Sequence, residues 1–88
     1  MTRGIPTAAA AEPLKSLFLD DGEPPPVWPY TEGTVRGSSF APLYKGAPQA
    51  ALMDGRLYEL LVLCDAIRGG RTRERTLAVE LLRKALDV

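Results

Sequence analysis

All eight prolines of this 88-residue chain lie between Pro6 and Pro48, and none follows. Proline fixes φ and has no N–H to donate, so a segment punctuated this often builds neither long helices nor central strands. The 40 residues after Pro48 are broken only by Gly55, Gly69 and Gly70. Two halves under different rules follow: an irregular, Pro- and aromatic-rich arm over residues 1–48 and a helical segment over 49–88. At this length both belong to one compact unit, which buries only about two thirds of its unfolded surface.

The helical half reads as an αα-hairpin with helices over about 54–68 and 72–87. Asp54 is a natural N-cap for the first, its carboxylate placed to accept from free first-turn amides. Leu57, Leu60, Leu61, Cys64 and Ile67 fall on one face of that helix. Gly69-Gly70 offers a left-handed C-cap, and Thr72 an N-cap for the second helix. Leu77, Ala78, Leu81, Leu82 and Ala85 then make the facing stripe. So short a link sets the helices antiparallel, and Leu61 and Leu81 are expected to be fully buried.

One partner helix cannot cover all the apolar surface of the first. Tyr58 and Val62 form a second stripe, and Leu63 adds to the other flank. The arm has material to meet it. Pro13 suits the first turn of a short helix near 13–19, where Leu14, Leu17 and Phe18 share a face. Pro24-Pro25-Pro26 favours polyproline II, and Val27, Trp28, Tyr30, Phe40 and Tyr44 follow irregularly. "YTEGTVRG" leaves room for a very short β-hairpin through Glu32-Gly33. The expected fold is mostly α: an antiparallel helical hairpin clasped by this arm. Trp28 is expected against Tyr58 and Val62, or against a second copy. Trp28, Tyr30, Tyr58, Val62 and Leu63 are therefore the candidate partner or self-association residues.

Composition excludes much chemistry. Eleven basic residues balance eleven acidic ones, so no net field recruits nucleic acid or an anionic membrane. The longest apolar run, Leu60 to Cys64, is far short of the roughly 20 residues that span a bilayer. The opening "MTRGIPTAAAAEPLK" has no apolar leader core. With a single cysteine, no intrachain disulfide forms, and a reducing, cytoplasmic setting fits. Histidine is absent, which removes the commonest general base near neutral pH and the commonest zinc ligand. Cys64 lies on a core face with no imidazole to activate it. No cofactor, no metal and no catalysis are expected.

"AIRGGRTRERT" sets Arg68, Arg71, Arg73 and Arg75 around one acid, Glu74. Arginines beside a helix N-terminus can grip phosphate; they can equally be a solvated hinge, with Asp20, Asp21 and Glu23 as acidic partners. "GRTRERTLAVEL" resembles the turn and second helix of helix-turn-helix units over about a dozen residues. Such units continue into a further turn and a recognition helix, whereas Leu82-Arg83-Lys84-Ala85-Leu86 continues the same helix. The expected function is a non-catalytic interaction or assembly module that self-associates as a homodimer or binds another protein, without membrane contact. The alternatives are an accessory nucleic-acid-binding element using the hinge arginines, or a C-terminal piece of a larger protein.

Overall fold

The computed structural model of the chain describes residues 1–18 and 22–87. Strand β1 (Thr2–Pro6) leads through a 3-10 turn at Ala8–Ala10 and another at Lys15–Leu17 into β2 (Pro26–Pro29) and β3 (Val35–Ser39). Helices α1 (Ala47–Met53), α2 (Gly55–Gly69) and α3 (Thr72–Leu86) follow. None of the helices in the described residues is long and apolar enough to cross a membrane.

The proline-rich half departs from the expected irregular arm. It carries a three-stranded sheet in which each strand pairs with the other two, so the sheet closes on itself. β1 runs antiparallel to both neighbours, its C-terminal part against β2 (Ile5 opposite Trp28) and its N-terminal part against β3 (Arg3 opposite Arg36). The expected hairpin between β2 and β3 is not antiparallel. A turn does close there, with Gly33 N–H donating to Tyr30 O at 3.0 Å. The strands it joins pair in parallel, Pro26 beside Ser38 and Val27 beside Ser39.

Proline and glycine account for this geometry. Pro6, Pro26 and Pro29 stand at strand ends, where a missing N–H breaks no ladder bond, and the strands stay four or five residues long. At the crossing the backbones meet too closely for a side chain. A Cβ on Gly4 would run into the Trp28 carbonyl, and one on Gly37 into the Pro25 carbonyl. Successive side chains of β2 point to opposite faces. Val27 therefore fills the inside of the closed sheet near Gly4, while Trp28 faces the helices, and neither is exposed.

α2 lies at the centre of the molecule. Leu61 on one side joins Ile5, Trp28, Ala47 and Ala51, so β1, β2 and α1 share that core. Val62, Leu63 and Ala66 on the other side join Ala8, Ala11, Leu14 and Ala78. Tyr58 packs against both. A helix covered from two sides is apolar nearly all round, which is why α2 carries more than one stripe.

Asp54 caps α2, accepting from Arg56 N–H and Leu57 N–H. α3 follows after only Gly70 and Arg71, and Arg56 at the start of α2 donates to Ala85 O at the end of α3, 2.8 Å away. The two helices therefore run in opposite directions. Arg71, not Thr72, holds the cap position of α3, and the Glu74 carboxylate accepts its N–H at 3.2 Å. Gly70 sits at φ −81° and Gly69 within the helix, so neither is left-handed. What excludes a side chain here is space: a Cβ on Gly69 would meet the Phe40 ring, and one on Gly70 the Ala66 carbonyl. Leu81 is only partly buried, and Ala78 is the buried residue of α3. Of the helix expected near 13–19, the described residues form a single 3-10 turn at Lys15–Leu17, with Leu14 buried and Leu17 turned outward; residue 19 lies outside the described residues.

Candidate functional site

Asp65 is the most constrained polar group in the described residues, and the sequence reading did not single it out. It lies on the third turn of α2, one turn beyond Val62, and is 1% exposed. Its Oδ2 accepts from the Thr7 hydroxyl and from Trp28 Nε1–H, both at 2.6 Å. Its Oδ1 accepts from Arg68 Nη2 at 2.6 Å. Thr7 follows β1 and Trp28 belongs to β2, so one carboxylate ties two parts of the N-terminal half to the central helix. A buried carboxylate without donors would cost several kcal/mol; here both oxygens are occupied.

Arg68 extends that centre outward. Besides Asp65 it donates to Ala41 O at 2.7 Å, and its guanidinium lies 5.2 Å from the centroid of the Phe40 ring. Phe40 itself abuts Gly69. The segment leaving β3 is thus held to the end of α2. Arg68 thus has a structural duty; Arg71, Arg73 and Arg75 stand exposed on the first turn of α3 and just before it. Asp20 and Asp21, the acidic partners considered for them, lie outside the described residues.

Of the five residues expected to meet a partner, three are buried within the chain, while Tyr30 and Tyr58 are partly buried. Trp28 and Val62 are fully buried and Leu63 nearly so. The Trp28 and Tyr58 rings lie 5.6 Å apart at 39°, and Tyr58 OH donates to Pro6 O at 2.6 Å. Tyr30 packs at the edge of the Trp28 cluster, with its N–H on Arg3 O. The cover that the Tyr58–Val62 stripe requires comes from the N-terminal half.

Two titrating groups are shifted by these surroundings. Burial raises the Tyr58 phenol above its ordinary value. Burial also raises the Cys64 thiol, the neighbouring Asp65 carboxylate adds to the rise, and Arg68 opposes it. A thiol held protonated is a poor nucleophile at neutral pH. Among the described residues no three His, Cys, Asp or Glu side chains gather to hold a metal ion. No family model, no curated protein and no solved structure matches the chain.

Asp65 did leave a signal. It is an acid inside the apolar run "LLVLCDAI", spaced three residues from Val62 and seven from Tyr58, which places it on the stripe that needed cover. An acid on a buried stripe demands donors, and Trp28 carries one of the few long-reach neutral N–H groups in the chain.

Apolar surface remains open on α3. Val79, Leu82 and Leu86 follow one another at three- and four-residue spacing and line a shallow groove with Ile67, Arg83 and Asp87. Val79 is 40% exposed and Leu86 63%.

Proposed function

We propose that the protein is a non-catalytic interaction module: an antiparallel helical pair clasped by the N-terminal half, presenting an apolar face for assembly. The observation that carries this reading is the open stripe of α3. Apolar side chains aligned along one helix face and left exposed, as Val79 and Leu86 are beside the partly buried Leu82, mark a contact surface more often than scattered exposed residues do. The groups with chemical potential support it from the other direction. Asp65 and Tyr58 are committed to internal hydrogen bonds, and the Cys64 thiol is held protonated. A cytoplasmic setting suits a lone thiol.

Sedimentation velocity over a wide concentration range tests the reading. A mass above the 9.5 kDa monomer that grows with concentration is the expected result; a monomer throughout would contradict self-assembly.

The runner-up, an accessory nucleic-acid element, keeps three exposed arginines, Arg71, Arg73 and Arg75, without help from net charge. Phosphate contacts would make any such affinity fall steeply with salt.

A further inference from the structure

We infer that the occupant of the α3 face is a second copy of this chain, docked α3 against α3 in opposite directions about a two-fold axis. The inference rests on the interaction-module reading and deepens it by naming the partner and the surface.

α3 has two apolar stripes. The inner one, Leu77, Ala78 and Leu81, packs on the core shared with α2. The outer one, Val79 and Leu86, opens on the groove bounded by Ile67, with Leu82 shared between that groove and the core. Arg83 and Asp87 line the same groove, opposite in sign and one helical turn apart. That arrangement is complementary to its own reverse. An antiparallel pairing that sets Leu82 opposite the second copy's Leu86 leaves Arg83 and the second copy's Asp87 on the same flank of the contact, two residues apart in register, a gap that an arginine side chain spans. The two-fold axis makes each contact twice. A partner face of uniform charge would satisfy one member of the pair and repel the other. Charge raises no barrier at long range either, because the chain has no net charge and like copies do not repel.

A second exposed apolar surface competes for this role. Leu43 and Tyr44 precede α1, and Leu52 and Met53 end it, all about half exposed or more. The experiment must separate the two. Sedimentation equilibrium of the full chain would compare wild type, Leu86→Glu and Leu52→Glu. Both sites are exposed, so both variants should keep the wild-type circular dichroism and melting temperature. A third set holds Arg83→Asp, Asp87→Arg and the double exchange.

The expected result is a wild-type dimer whose dissociation constant rises about tenfold or more in Leu86→Glu, roughly the effect of 1.4 kcal/mol. Leu52→Glu should leave it unchanged. Each single charge reversal should weaken the dimer and the double exchange restore it, since only a surface meeting itself recovers when both signs are swapped together. A dimer lost in Leu52→Glu but retained in Leu86→Glu overturns the α3 surface and leaves the module reading intact. A wild type that stays monomeric overturns both.

Discussion

The two halves of this molecule are held by different physics. The helical half follows periodicity: apolar positions recur on helix faces, an aspartate starts α2, and paired glycines mark its end. The proline-rich half has no usable period. It is held by close approach of backbones at Gly4 and Gly37, by prolines at strand ends, and by donors converging on a carboxylate from the other half. Periodic packing spreads stability over many interchangeable methyl groups. Close approach and a shared acceptor concentrate it in single atoms, where small substitutions should have large effects.

The largest effect should come from Asp65→Ala. It strands the Thr7 hydroxyl and the indole N–H in a buried site and should cost about 3–5 kcal/mol, measured by urea unfolding. In a domain near the low end of the usual stability range that would come close to unfolding it. The helical half should respond less to its own deletions. Leu81→Ala should cost about 2 kcal/mol, the low end for such truncations, because Leu81 is only partly buried.

A pair of glycine variants sharpens the contrast. Gly4→Ala should destabilise by about 1–3 kcal/mol, since the atoms it meets belong to backbone and cannot turn aside. At Gly55 an added Cβ meets nothing within 4 Å, so Gly55→Ala should stabilise by about 0.4–1 kcal/mol through the unfolded chain. Equal effects at the two sites would erase the distinction. The smallest change should follow Arg71→Gln with Arg73→Gln. These side chains are exposed, and single exposed pairs contribute about 0–1 kcal/mol. Loss of tight, salt-sensitive nucleic-acid binding in that variant would instead promote the runner-up function.

Alkaline pH should act on the junction. The Tyr58 phenol is raised by burial, so the folded state favours its neutral form. That contribution is complete below the ordinary tyrosine value near 10 and is lost as pH rises through the folded value. Unfolding midpoints should therefore fall above about pH 10, and Tyr58→Phe should flatten the decline.

What could be read in advance follows the same division. Asp54 stands at the start of α2 and Gly69-Gly70 at its end, and of the Tyr58–Val62 stripe Tyr58 meets Trp28 while Val62 packs with Ala8, Ala11 and Leu14. The sheet was not legible, because strands of four or five residues bounded by prolines show no alternation long enough to count. The reason for Gly69 was misread, since a clash with Phe40 is a tertiary fact that the local pattern imitates as a cap. α1 is short, and only Ala47, Pro48 and Ala51 of it are buried. The candidate site divided likewise. The partner residues stand out for apolar surplus, which the fold buries at Trp28, Val62 and Leu63 and covers in part at Tyr30 and Tyr58, while Asp65 draws no attention because one acid in a helix usually faces water.

One carboxylate fastens the closed sheet to the central helix. Asp65→Asn tests it most directly, because the shape is kept and one acceptor becomes a donor. Turned one way, the new amide N–H₂ faces Thr7 and Trp28; turned the other, it faces Arg68. Urea unfolding followed by Trp28 fluorescence should show the variant weaker by about 1–3 kcal/mol. An unmoved midpoint would contradict the claim.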